Sequence, residues 1–289
     1  MPEWLLNVLF LLMNGLIWGL IIALIALGLS LIFGVMGIVN MAHGDLYMVG
    51  AVLAFYLFPV LGNFWLALLV VPLIIAVIAA PIERFVLRPY EGHHAVTMIA
   101  TVGISFILQQ AALATYGGIP RKMPVPWEVT FNLFGVSYPG YRFLIAGISV
   151  IILVAIWIFL YRTSYGVLIR ASIQDQDMAA AMGIDVNKVL VGTFVLGSVL
   201  AAIGGVLAAP ITQVFYLMGN DVALLAFIVV IIGGLGSLGG TLVAALALCS
   251  LEGVLSAVLN PTQSKAAIFV VMIVILLIRP RGLFGEAEH

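Results

Sequence analysis

Apolar residues run along this chain in long blocks separated by short polar stretches, at 5–30, 63–82, 95–115, 143–160, 189–209 and 266–278. A helix needs about 20 residues to cross a hydrocarbon core ~30 Å thick, so each block predicts a membrane span. Two further apolar regions, 28–55 and 222–258, are interrupted by glycines and a few polar residues. The pattern predicts an all-α, polytopic transmembrane helical bundle of roughly eight to nine spans with broken or re-entrant helices.

Three patterns inside the blocks carry more than span length. Gly15, Gly19 and Ala23 in the first block, and Gly197, Ala201, Gly205 and Ala209 in the sixth, recur every four residues, the spacing that lets helix backbones approach closely in lipid. Thr97, Thr101, Ser105 and Gln109 are also four apart, which lines them up along one face of a helix. Such a stripe either hydrogen-bonds to a neighbouring helix or faces a polar path. In 28–55, Gly34 and Gly37 interrupt the apolar run just before Asn40, His43 and Asp45. Polar backbone at membrane depth is tolerated only when buried in protein or lining a cavity. His43 and Asp45 are two apart, so on a helix they share no face, which argues against a dyad or metal pair. Glycines also break 233–240, giving either a turn between two short spans or a break within a re-entrant helix. Glu252 follows, an ionisable residue in an apolar setting and so a functional or paired group by default.

One stretch cannot lie in a membrane. Residues 162–188 hold Arg162, Arg170, Asp175, Asp177, Asp185 and Lys188 between two spans. Ser172 and Asp175 stand three apart, as in a capping box. A helix of about three turns is expected from Ile173 to Met182, stopped by Gly183.

Composition then narrows the class. The chain has 289 residues, 64% hydrophobic and 8% charged, with a mean hydropathy of +1.29. Soluble domains carry about 25% charge, so this is an integral membrane protein, and one membrane domain over 1–289 accounts for all of it. The N-terminus lacks the basic region of a signal peptide and reads as an uncleaved first span. A net charge of −1 without a basic cluster gives no footing for nucleic acid. The single cysteine, Cys249, can form no internal disulfide. GLGSLG within 233–240 fits a dinucleotide-binding spacing but lacks the βαβ context and acidic partner. There is no His or Cys cluster with metal spacing and no hydrolase motif, and neither a metal nor a cofactor is expected. There is also no G-x-x-x-x-G-K-[ST] loop, so ATP hydrolysis by that route must come from another chain.

The string GLSLIFGVMGIVNMAHGDLYMVGAVLA at 28–54 closely resembles the signature of the LivH-type permease subunits of branched-chain amino-acid ABC importers. The resemblance covers nearly the whole chain and is strongest at 28–55, 162–206, 233–253 and 279–285. RASIQDQDMAAAMG, from Arg170 to Gly183, resembles the coupling segment that docks into the ATPase in importer permeases, with Ala179, Ala180, Ala181 and Gly183 matching and the motif's Glu absent. The resemblance implies a permease without an ATPase site of its own, in a bacterial inner membrane. It also implies a heterodimer with a second Liv-type permease, two ATP-binding subunits and an extracytoplasmic binding protein. Arg170, Ser172, Asp175, Met178, Ala179, Ala181 and Gly183 become the ATPase-coupling residues, and 162–188 a cytoplasmic loop. Asn40, His43, Asp45, Thr97, Thr101, Ser105, Gln109 and Glu252 become the substrate path.

Basic residues favour the cytoplasmic side. With 162–188 inside, Arg84, Arg88, Arg162, Arg170, Lys188, Arg279 and Arg281 fall inside, against Arg121, Lys122, Arg142 and Lys265 outside. The branched-chain amino acids are the ligands the resemblance implies. Permeases for urea and short amides are similar, and an ion-coupled carrier or channel is the reading that pattern alone leaves open.

Overall fold

The computed structural model describes residues 3–133, 135–280 and 282–284. Arg281 and most of the chain's last residues, counted above among the inside charges and the C-terminal resemblance, lie outside them. Long helices dominate: α1 (Glu3–Met36), α2 (His43–Leu61), α3 (Phe64–Pro81), α4 (His94–Tyr116) and α5 (Gly140–Arg162) are followed by two short ones, α6 (Ser164–Gln174) and α7 (Gln176–Ala181). Then come α8 (Val186–Ala208), α9 (Met218–Gly233), α10 (Leu238–Leu255) and α11 (Pro261–Ile278). Eight are long and apolar enough to cross a membrane, and α9, at 16 residues, is a shorter apolar helix. The chain is a multi-pass membrane protein with the helical bundle its pattern predicts.

Among the described residues strand is confined to four short pieces: β1 (Arg121–Lys122), β2 (Thr130–Leu133), β3 (Val136–Pro139) and β4 (Gln213–Val214). β2 and β3 form a hairpin in the irregular stretch after α4, and β1 pairs antiparallel with β4.

The first span is longer than its apolar run. Gly34 does not break it, and α1 continues to Met36, where Gly37 ends it at φ 65°, a conformation only glycine adopts without strain. At ~1.5 Å per residue α1 is about 50 Å long. It is buried on nearly every side and packs on α8 and α10. Lipid supplies no hydrophobic drive between helices, so their cohesion rests on close approach of small residues. A Cβ added at Gly19 would lie 3.2 Å from the Ala245 carbonyl, and one at Gly197 2.6 Å from that of Gly28. The glycine faces expected of the first and sixth spans are therefore packing faces.

Two connections do not cross from face to face. After Gly37 the chain turns back, and α2 begins beside the middle of α1, with His43 Nε2 2.9 Å from the Ile25 carbonyl. After α8 the segment 209–217 dips in from the opposite face, and α9 begins against the start of α2, with Gly44 and Gly219 in backbone contact. α9 then runs to the level of Gly34, which faces Gly236. The glycines at 233–240 thus make the turn between α9 and α10, one of the two readings their spacing left open.

The helix order α1–α2–α3–α4 is repeated by α8–α9–α10–α11 with every direction reversed. Packing follows the same exchange: α1 lies on α10 as α8 lies on α3, while α1 with α8 and α2 with α9 pair across the pseudo-symmetry axis. α5, α6 and α7 stand between the two halves.

Candidate functional site

α2 and α9 bring their N-termini together, with Gly44 against Gly219. Neither N-cap, Ala42 for α2 or Leu217 for α9, supplies a side-chain cap, and each helix carries an aspartate in its first turn, Asp45 and Asp221. Negative charge there complements the positive end of the helix dipole. Asn40 shapes the approach to α2: its Oδ1 accepts from Ala42 N at 3.1 Å and its carbonyl from His43 N at 3.2 Å.

The stripe on α4 faces this break. Thr101 Oγ1 accepts from Met41 N at 3.2 Å. Gln109 Nε2 lies 3.1 Å from each of Asp45 Oδ1, Ser105 Oγ and Asn220 Oδ1. Its two N–H groups are thus shared among three acceptors on α2, α4 and α9. Asp45, Ser105 and Gln109, expected separately from two stretches, therefore form one polar cluster with Asn220, and Asn40 and Thr101 hold the adjoining turn. Thr97 belongs to the stripe but bonds only the carbonyls of His93 and His94, on its own helix. His43 points to α1 while Asp45 points to α4, so the two share no face, as their spacing predicts. Buried Asn40 Nδ2 and His43 Nδ1 have no partner among the described residues. Asn220 was missed by sequence reasoning, because the segment before 222 has neither the length nor the periodicity of a span. Its signal was a polar pair, Asn220 and Asp221, at the start of an apolar run.

Glu252 lies elsewhere. It sits near the end of α10 and lines a cavity of about 370 Å³ with Asp221 and Lys265. Among the described residues no group of three or more His, Cys, Asp or Glu could hold a metal ion.

The 162–188 stretch departs from expectation in its details. Ser172 is not an N-cap; it is buried inside α6, with its Oγ unpartnered. Asp175 caps α7 instead, accepting from Met178 N at 2.8 Å. The expected three-turn helix from Ile173 is two helices with a sharp corner at Asp175, and α7 spans only Gln176–Ala181. Gly183 stops it as expected, at φ 86°: Gly183 N donates to the Ala180 carbonyl and Ile184 N to that of Ala179, a Schellman motif. Ala179 is turned inward, whereas Met178, Ala181 and Met182 are exposed. Arg170 folds back, donating to the Leu160 carbonyl with its guanidinium 4.9 Å from the Tyr161 ring centre. It holds α6 to α5 rather than facing outward.

Two links tie this stretch to the bundle. The Gln176 side chain donates to the Val35 carbonyl in the last turn of α1. Arg88 bridges the buried carboxylate of Glu83 at 3.0 Å and donates to the Asn187 carbonyl at 3.1 Å, joining the end of α3 to the start of α8. Asp185 caps α8, and hydrogen bonds from the Lys188 side chain and backbone hold its carboxyl below the usual carboxylate range.

A sequence-family profile described as the permease component of a branched-chain amino acid transport system matches residues 11–277. The chain is 30% identical to the high-affinity branched-chain amino acid transport system permease protein LivH of Salmonella typhimurium, over 95% of this chain and 94% of that one. It is 29% identical to the corresponding protein BraD of Pseudomonas aeruginosa, over 96% and 95% of the two chains. With a probable LivH of Methanocaldococcus jannaschii it shares 27% identity, over 94% and 91%. No solved structure matches the chain. A profile match over almost the full length, with relatives aligned nearly end to end, places this protein in the family of branched-chain amino acid transport system permease components.

Proposed function

We propose that the chain is a membrane-spanning subunit of an ABC importer in a bacterial cytoplasmic membrane, moving branched-chain amino acids inward with ATP hydrolysed on separate subunits. In this reading it pairs with a second Liv-type permease, two ATP-binding subunits dock on the face bearing α6 and α7, and an extracytoplasmic binding protein delivers the ligand to the opposite face. The observation that carries it is the meeting of α2 and α9 end to end in a polar cluster, with α7 bonded through Gln176 to the helix that leads into the break. Discontinuous helices with N-termini near the midplane are a recurrent way to build a polar site in a transporter.

The mechanism follows from these links. Closure of the ATPases pushes on the exposed face of α7, at Met178, Ala181 and Met182. Gln176 passes the displacement to the end of α1, and the Gly37 joint lets the connecting segment 37–42 move without unwinding either helix. That segment carries Asn40 and leads directly to Asp45, so the contacts of Asp45, Gln109 and Asn220 are remade and the Gly44–Gly219 contact opens.

The test is to tag the chain, extract it gently from its native membrane and identify by mass what accompanies it. A second permease-like chain and a protein with a G-x-x-x-x-G-K-[ST] loop support the reading, as does ATP-dependent uptake of leucine by the reconstituted assembly. A chain that comes out alone and moves solute along an ion gradient refutes it.

A further inference from the structure

The cavity lined by Asp221, Glu252 and Lys265 adjoins the polar cluster, with Asp221 next to Asn220 and Tyr47 two residues beyond Asp45, and its ion pair is separate from the cluster's hydrogen bonds. It is bounded by α1, α2, α9, α10 and α11 and by the segment that precedes α9. Asp221 is in the first turn of α9, at mid-depth, while Glu252 and Lys265 stand near the ends of α10 and α11 on the face opposite α7. The cavity therefore runs from the outer ends of α10 and α11 down beside the first turns of α9. At about 370 Å³ it falls at the small end of the ~300–1,000 Å³ typical of ligand pockets. Phe215, Leu225, Ile268 and Phe269 make its walls mainly apolar.

Its charges are unusual for such a place. Lys265 Nζ lies 3.0 Å from Asp221 Oδ2, and the two side chains are 52% and 73% exposed. Charges in contact with lipid at this depth are strongly disfavoured, so this face is covered by water or by another subunit rather than by hydrocarbon. Glu252 is half-buried in the same cavity, and its carboxylate makes no hydrogen bond or ion pair among the described residues. The cavity thus holds two carboxylates, one ammonium and a greasy wall. It lacks one cation, and it presents a lysine whose present partner is a solvent-exposed carboxylate.

We propose that this cavity is the outer binding station for a zwitterionic α-amino acid with an aliphatic side chain. The α-ammonium sits between Glu252 and Asp221, the α-carboxylate replaces Asp221 on Lys265, and the aliphatic chain lies against Phe215, Leu225 and Phe269. The ligand restores the missing positive charge and leaves no carboxylate unpaired. Urea and short amides lack both formal charges and gain little from Glu252 or Lys265. The inference rests on the importer reading above and names the site within it.

The experiment measures uptake of radiolabelled L-leucine by the complete assembly, comparing wild type with Glu252→Gln, Lys265→Met and Leu225→Trp. Each charge variant raises the apparent KM roughly tenfold, the factor expected for losing one charge-assisted hydrogen bond. Leu225→Trp fills the cavity without touching its charges and raises KM as well, so the result does not hang on how the charge variants assemble. Leucinamide and 4-methylpentanoate, each lacking one of leucine's charges, compete at least tenfold less well than leucine. If all three variants reach the membrane at wild-type levels and keep KM within twofold, the cavity is not the station, while leucine transport by the wild type still upholds the importer reading. If the wild-type assembly moves urea or acetamide and no amino acid, that reading fails and the site falls with it.

Discussion

Replacing Gln109 with leucine tests whether the polar cluster is a built site or incidental packing. The two side chains are close in size, so the change removes two N–H donors while leaving the space filled. Three acceptors at 3.1 Å lose their donor, one of them the carboxylate of Asp45. A hydrogen bond between transmembrane helices averages only ~0.6 kcal/mol, because polar groups in the unfolded bundle find other partners. A buried acceptor left without any partner costs more, about 1–3 kcal/mol. Asp45 is the acceptor that decides the sum, since Ser105 and Asn220 can reorient and a carboxylate cannot become a donor without taking up a proton. The expected loss is therefore about 1–3 kcal/mol. The neighbouring Gln110 is exposed on the same helix, and Gln110→Leu should change stability by no more than about 0.5 kcal/mol. Thermal unfolding of both variants in the same detergent reads the difference, and leucine uptake by the full assembly reads its functional share. If Gln109→Leu melts and transports like Gln110→Leu, the cluster is neither a structural joint nor part of the path.

Two further predictions concern packing and coupling. Gly28→Ala places a Cβ 2.5 Å from the Gly197 carbonyl and should cost about 1–3 kcal/mol, whereas Gly147→Ala has nothing within 4 Å and should gain up to about 1 kcal/mol in helix propensity. Equal melting temperatures for the two would overturn the close-packing account of α1 and α8. Gln176→Leu cuts the bond from α7 to the Val35 carbonyl; uptake per assembled complex should fall several-fold while the co-purifying subunits remain at wild-type ratio, and undiminished uptake would remove Gln176 from the coupling route.

Much of this was written in the sequence because the relevant signals are periodic. Spans announce themselves by length, and the four-residue recurrence of Thr97, Thr101, Ser105 and Gln109 placed them on one face before any partner was known. Composition alone could not say what that face meets. The answer, the returning segment at 37–42 and the start of α9, depends on contacts between residues sixty and more than a hundred positions apart. The corner at Asp175 was misplaced for a different reason. Ser172 and Asp175 are both good N-caps, and local preference cannot choose between them. Burial of Ile169 and Ser172 against the bundle keeps α6 helical past Ser172, and that tertiary contact decides the matter. Arg170 looked like a docking charge because a sequence does not reveal that Tyr161 and the Leu160 carbonyl lie behind it.

The reversed order of the two halves bears on directionality. Turned upside down about its centre, the bundle of α1–α4 and α8–α11 presents nearly the same arrangement of helices, with one break opening from each face and the starts of α2 and α9 meeting between them. A machine of that form has no preferred sense of travel in its own architecture. Whatever makes movement one-way must enter through the parts the symmetry does not duplicate. In this chain those are α5, α6 and α7 and the unmatched charges around the outer cavity. A version that lost its grip on the other subunits should leak equally in both directions rather than simply run more slowly in one.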